Sequence, residues 1–158
     1  LGPVPSAQGG VTLIMTSWDD QQYLKFADER TRPAHELLAR VPVGAAERVV
    51  DLGSGPGNST ALLQARWPNA HVTGVESSAE MLRRARADFP SIEWMQADVR
   101  RWKPDAPVDV LFANAVLHWI SNHAAIFPAL FDHVRPGGAL AVQMPRNYDE
   151  PSHRLMRE

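Results

Sequence analysis

Three glycines at alternate positions, in Val49-Val50-Asp51-Leu52-Gly53-Ser54-Gly55-Pro56-Gly57-Asn58-Ser59-Thr60, constrain this chain more than any other feature. Two apolar residues and a carboxylate end a buried strand, the glycines make a turn, and Asn58-Ser59-Thr60 opens a helix. Glycine permits positive φ and lets a ligand lie against the backbone without meeting a Cβ atom. The helix that follows directs its unpaired N–H groups and the positive end of its dipole into the same space, which suits an anionic or strongly polar ligand. A dinucleotide turn of the form G-x-G-x-x-G needs glycine at position 58, where this chain has Asn58. The spacing here is G-x-G-x-G, which argues against a nicotinamide or flavin site.

The bulk properties narrow the partners. The 158 residues suffice for one domain with a sizeable core. A net charge of -2 supplies no global field for nucleic acid. The one local basic cluster, Arg83, Arg84 and Arg86, shares a helical stretch with Glu80 and Asp88 and reads as a solvated face. The absence of cysteine excludes disulfides and thiolate metal sites and fits a reducing compartment. No His, Asp and Glu grouping has metal-ligand spacing. No apolar run approaches the ~20 residues that span a bilayer, and the first residues lack the basic start of a secretory signal. The expectation is a cytoplasmic protein with no membrane, nucleic-acid or obligate protein partner.

Along the chain, residues 1–16 are rich in Gly, Pro and Ser and read as a flexible leader ahead of one domain at 17–158. Two short helices meeting near Pro33 fit the stretch from Trp18 to Leu38. Strands are expected at Arg48–Leu52, His71–Val75, Ile92–Gln96, Val108–Ala113 and Ala139–Met144. Helices are expected from Asn58 to Trp67, from a capping box of Ser77 with Glu80 to Phe89, and from Ser121 or Asn122 to about Val134. Pro136-Gly137-Gly138 is expected as the turn into the fifth strand, and Pro151–Glu158 as the opening of another helix. Strand and helix alternate with short connections. The economical fold is therefore α/β, a doubly wound, mostly parallel Rossmann-like sheet of five strands with helices on both faces. In such sheets ligands bind beyond the carboxyl ends of the strands at the switch point.

Other strand ends carry polar residues suited to a nucleoside ligand. Glu76, 25 residues after Asp51, ends the second strand, where a carboxylate accepts both hydroxyls of a ribose. Asp98 follows the third strand, placed to accept from an exocyclic adenine amine. Asn114 ends the fourth, where side chain or backbone meets an amino-acid portion. Together these residues resemble the class I S-adenosylmethionine (SAM) methyltransferases. The resemblance extends to Glu29-Arg30-Thr31-Arg32-Pro33, Leu37-Leu38-Ala39-Arg40-Val41-Pro42, Phe112-Ala113-Asn114-Ala115, Val142-Gln143-Met144-Pro145 and Leu155-Met156-Arg157-Glu158. These segments are similar to the trans-aconitate 2-methyltransferase family from about Thr16 to the last residue. The glycine motif is shared by many methyltransferases, whereas the Arg-x-Arg-Pro and Val-Gln-Met-Pro segments are much more specific.

The resemblance implies methyl transfer from SAM to a carboxylate of trans-aconitate, a tricarboxylate. It implies cofactor contacts from Arg32, Asp51, Gly53, Ser54, Gly55, Asn58, Glu76, Ser77, Met81, Asp98, Val99, Asn114 and Trp119. Arg32 would hold the SAM carboxylate, and Trp119 would pack over the methionine part or close the pocket. Arg30, His118 and Arg146 are the substrate candidates, with no general base and no metal. Tyr23 and Phe26 serve either to cover SAM or as a core stripe. Two departures stand out: Ser54 replaces a frequent Cys, and the chain stops before the family's further helices and last strands. A methyltransferase for another small acid and a SAM-binding fragment without catalysis remain the alternatives.

Overall fold

The run Val108–Ala113 is apolar at all but one position, and a strand of that composition is stable only if both its faces are covered. In the computed structural model, which describes residues 31–145, it lies inside a five-stranded sheet. The elements are α1 (Arg32–Ala39), β1 (Arg48–Leu52), α2 (Asn58–Arg66), β2 (His71–Glu76), α3 (Ala79–Asp88), β3 (Glu93–Gln96), β4 (Val108–Asn114), a 3-10 turn at Leu117–Trp119, α4 (His123–Phe131) and β5 (Val134–Gln143). Strand order is β3-β2-β1-β4-β5, and every pairing is parallel. The chain builds outward from β1 to β3 and then returns to build the other way from β4. The switch point therefore falls between β1 and β4, at the carboxyl end where the glycine turn leaves β1.

Alternation along the strands feeds two cores. Val49, Val72, Val110, Phe112 and Ala141 pack on one face with Leu38 of α1 and Leu62 and Leu63 of α2. Val50, Leu52, Val75, Leu111 and Ala113 pack on the other with Leu117, Trp102 and Leu130 of α4. Side chains such as Phe112 and Leu63, fully out of water, each contribute roughly 1.5–3 kcal/mol by burial. Helices thus cover both faces of a doubly wound α/β sheet. No helix among the described residues is long and apolar enough to cross a membrane.

Several expected boundaries move, each for a local reason. Pro33 lies in the first turn of α1, where a missing N–H costs nothing; the helix expected before it, Tyr23, Phe26, the leader at 1–16 and the helix expected at 151–158 lie outside the described residues. The cap of α3 is Ser78, whose Oγ accepts from Met81 N at 3.3 Å, and not Ser77. Glu76 accounts for the shift: its Oε1 accepts from Ser78 N at 2.9 Å and from Ser77 Oγ at 3.2 Å, which holds Ser77 outside the helix. Helix α4 ends at Phe131, short of Val134, because His133 O accepts from Val108 N at 2.9 Å and draws the chain into the sheet. Pro136-Gly137-Gly138 is not a separate turn before the last strand. Val108 pairs with Val134 but Val110 with Ala139, so β5 carries an outward bulge containing that tripeptide. Gly138 fits there because a Cβ would lie 2.5 Å from Asp109 O.

The two ends of the sheet are built differently. At the amino end, buried Asp109 accepts through Oδ2 from Glu47 N at 2.9 Å and Arg48 N at 2.8 Å, and its Oδ1 ion-pairs with Arg135. That stitch joins the start of β1 to β4 and β5.

Candidate functional site

At the carboxyl end the glycine turn gives each glycine a separate task. Gly53 (φ 67°) lies under Val116, whose side chain would be 2.3 Å from an added Cβ. Gly57 (φ 98°) lies under Trp94, 2.6 Å from an added Cβ. These two positions need glycine for conformation and for packing. Gly55 (φ 55°) differs, because its missing Cβ would meet only Met81 Sδ at 3.9 Å. Its bare backbone looks into a cleft of about 550 Å³, within the range of small-molecule sites.

Glu76 holds one wall. Its Oε2 accepts from Gly55 N at 3.0 Å while Oε1 takes Ser78 N and the Ser77 hydroxyl. One carboxylate thus ties the glycine turn to the start of α3, and it lines the cleft. Further along, the Asp98 carboxylate is gripped by Arg100: Nε donates to Oδ1 at 2.9 Å and Arg100 N to the same oxygen at 2.9 Å. That grip holds the Asp98 carboxyl down at about 2, so it stays ionised across the working pH range. On the far wall stand Ala115, Val116, Ile120 and Trp119, the last 82% exposed with its ring 4.6 Å from that of His118. Ala115 takes φ 54°, a left-handed conformation that costs a residue with a Cβ, and its N donates to Gln143 O at 2.9 Å.

Behind the turn, Asp51 is fully buried. Its Oδ2 accepts from Ser59 Oγ at 2.6 Å and Thr60 Oγ1 at 2.7 Å, which clamps the first turn of α2 to β1. Its Oδ1 is buried without a hydrogen-bond partner among the described residues. Burial raises the Asp51 carboxyl to about 6; the two hydroxyls oppose that rise and the Glu76 charge adds to it.

Of the residues expected at the site, Gly53, Gly55, Glu76, Ser77, Met81, Asp98, Val99 and Trp119 line the one cleft. Asp51, Ser54 and Asn114 sit behind its surface, with buried oxygens that have no hydrogen-bond partner among the described residues. Asn58 is exposed at the start of α2, and Arg32 is exposed on α1, where its Nε pairs with Glu36 at 2.8 Å. His118 stands beside the cleft, its pKa pushed down by burial and its Nδ1 without a partner among the described residues. Arg30 and Arg146 lie outside the described residues. Pro56, Arg100, Ala115, Val116 and Ile120 line the cleft without having been expected to. Arg100 carried a signal, since Asp98-Val99-Arg100 places opposite charges two apart in a loop where each can reach the other.

A parallel sheet of this order, with a glycine turn at its switch point and a carboxylate at the end of the next strand, defines a class of nucleotide-type domain. Residues 49–138 match the methyltransferase domain family, and the chain belongs to it. It is 70% identical over 144 residues to the trans-aconitate 2-methyltransferase of Azoarcus sp. (strain BH72), covering 91% of this chain and 57% of that protein. The trans-aconitate 2-methyltransferase of Methylobacterium nodulans is 59% identical over 143 residues, covering 90% of this chain and 55% of that protein. Among solved structures, an S-adenosylmethionine dependent methyltransferase from Mesorhizobium loti superposes with a TM-score of 0.59 at 30% identity, over 67% of this chain and 50% of that one. The chain spans a little over half the length of the relatives it matches.

Proposed function

We propose that this chain is a SAM-dependent O-methyltransferase that esterifies a carboxylate of trans-aconitate in the cytoplasm, with residues 17–158 as its SAM-binding domain. The observation that carries the reading is the cleft in which the bare backbone of Gly55 faces the carboxylates of Glu76 and Asp98. The names of the relatives, at 70% and 59% identity, supply the acceptor.

The residues present fit the cofactor. Glu76 is fixed by three hydrogen bonds and accepts from ribose hydroxyls on its side facing the cleft. Asp98, oriented by Arg100, accepts from an exocyclic amine. Ser77, Met81 and Val99 line that half of the cleft, and Gly53 and Gly55 let the ligand lie on the backbone. Asp51 Oδ1 and Asn114 Oδ1, orphaned and buried, face the need for an ammonium donor at the amino-acid end. Trp119, largely exposed at the mouth, closes over the site when it fills.

The cofactor supplies an electrophilic methyl group when bound. A carboxylate acceptor, with a pKa of roughly 4, is already ionised at neutral pH and needs no general base. The chain's task is then to bring the acceptor oxygen to the methyl carbon in line with the bond that breaks, and to keep water out. Arg30 and Arg146 are proposed to hold the substrate's other carboxylates, because guanidinium grips a carboxylate in two places. His118 is proposed at the rim of the acceptor site.

The test is twofold. Calorimetric titration with S-adenosylhomocysteine (SAH) should show one site, and labelled SAM should methylate trans-aconitate ahead of a panel of other acids. Methylation of another acid with none of trans-aconitate would remove the substrate. SAH binding without any turnover would leave a cofactor-binding domain that is not an enzyme.

A further inference from the structure

The end of β5 carries a polar side chain with no role in the site described so far. Gln143 stands in register with Asn114, the last residue of β4. Paired residues of parallel strands point to the same face, about 4.8 Å apart. The face follows from the alternation: Val110 and Phe112 in β4, and Ala139 and Ala141 in β5, all pack toward α1 and α2. Asn114 and Gln143 continue that face one step past its apolar layer, at the carboxyl edge. Both bury a side-chain oxygen, Oδ1 and Oε1, with no hydrogen-bond partner among the described residues. Buried amide oxygens are nearly always paired, and an orphan pair side by side calls for an explanation.

The strand order supplies one. Along the carboxyl edge the polar groups run Asp98 after β3, Glu76 at β2, the glycine turn after β1, Asn114 at β4 and Gln143 at β5. An adenosyl group laid along Asp98 and Glu76 places its amino-acid end near β1 and β4. The next position outward, over β4 and β5, belongs to the acceptor. We propose that the Gln143 carboxamide, side by side with that of Asn114, orients the reacting carboxylate of the substrate. This rests on the carboxyl methyltransferase reading above. A carboxamide turned by 180° offers N–H where it offered C=O, so the orphaned position can donate to a carboxylate oxygen. The chemistry favours a neutral donor there. A guanidinium would neutralise the nucleophile, whereas an amide N–H fixes its direction and leaves its charge for attack. Arginines then suit the carboxylates that do not react. In the step itself, one carboxylate oxygen forms a bond to the methyl carbon as the carbon–sulfur bond breaks. Its electron pair stays on sulfur, giving the neutral thioether and a methyl ester, with no proton exchanged.

The experiment compares Gln143→Leu, Gln143→Asn and Gln143→Glu with the wild type in the intact protein. Calorimetry measures SAH affinity and then trans-aconitate affinity for the SAH complex, beside steady-state kinetics. Gln143→Leu should lower kcat by about tenfold or more, as loss of one orienting donor does, with SAH affinity within twofold. Gln143→Asn should recover part of that loss. Gln143→Glu should weaken trans-aconitate binding by about a hundredfold, through like charge. Wild-type rates in Gln143→Leu, or SAH affinity falling in step with kcat, would overturn the assignment. A wild type that binds SAH but methylates no carboxylic acid would overturn the parent reading instead, and this inference with it.

Discussion

The two edges of the sheet each hold a buried aspartate, and the aspartates are treated in opposite ways. At the amino edge, Asp109 has one oxygen hydrogen-bonded by two backbone N–H groups, while the other makes no hydrogen bond but lies against the Arg135 guanidinium as an ion pair. At the carboxyl edge, Asp51 has one oxygen engaged by two hydroxyls and the other left bare. Around Asp109 the polar groups serve the fold, stitching the start of β1 to its neighbours. Elsewhere along the same edge lie the buried oxygens of Asn114 and Gln143, unpaired among the described residues, a strained Ala115 and an exposed Trp119. Polar groups left unsatisfied inside a fold cost stability, and they persist where a ligand satisfies them. The same residue type therefore marks architecture at one edge and recognition at the other.

That contrast can be broken by variants that ought to separate binding from stability. The largest effect is expected for Gly55→Val. The side chain would project into the cleft from a residue at φ 55°, a conformation that also strains a β-branched residue, and SAH binding should fall below detection in calorimetry on the folded fraction. Retained binding would show that the ligand does not cross that turn. Asp109→Ala is the counterpart at the other edge. It orphans two backbone N–H groups and a guanidinium, and urea unfolding should report a loss of about 2–4 kcal/mol, with SAH affinity unchanged in the folded fraction. A large loss of affinity without a loss of stability would erase the division between the edges. Glu76→Ala should come next, weakening SAH by roughly 1.5–3 kcal/mol as charged hydrogen bonds to the ligand disappear. Glu76 also ties Gly55 to α3, and Glu76→Gln keeps only part of that tie, because its NH2 group would face the Gly55 N–H in place of an accepting oxygen. The variant keeps an acceptor for Ser78 N and removes the charge, so an affinity midway between wild type and Glu76→Ala is expected.

How much of this was legible in the sequence follows the range of the forces involved. The strands, the α/β class and the glycine turn rest on local signals, namely apolar runs, alternation and glycine spacing. The strand bounds agree with the structure to within a few residues at every strand but β5. Ser78 displaced Ser77 as the cap because a carboxylate two residues upstream competes for the same groups. The bulge in β5 was invisible because it depends on register with β4 and on the Asp109 carbonyl, which lies 29 residues away from Gly138. The ring of Trp94 closes the space over both Gly57 and Gly74, a requirement for glycine that no local pattern announces. Gln143 stood in a recognisable segment, but only strand pairing shows that it shares a face and an edge with Asn114.

The smallest effect, and the most direct test of Asp51, is a pH dependence. Burial lifts its carboxyl from 3.8 to about 6, so the native protein holds a proton there that the unfolded chain has released between those values. Stability therefore falls as pH rises through that window, and above it the full cost of a buried charge is present. Binding of a ligand ammonium at Oδ1 has the opposite sign, because a cation favours the ionised form. SAH affinity should be flat above pH 7 and should drop by about tenfold on going to pH 5, as the proton must be displaced. Asp51→Asn cannot titrate: its affinity should be low and level over that range, and its unfolding temperature should gain on the wild type as pH rises from 4 to 7. The neighbouring Glu76 stays in place in both proteins, so a pH slope that survives in Asp51→Asn would assign the titration elsewhere and return Asp51 to a purely architectural role, like that of Asp109.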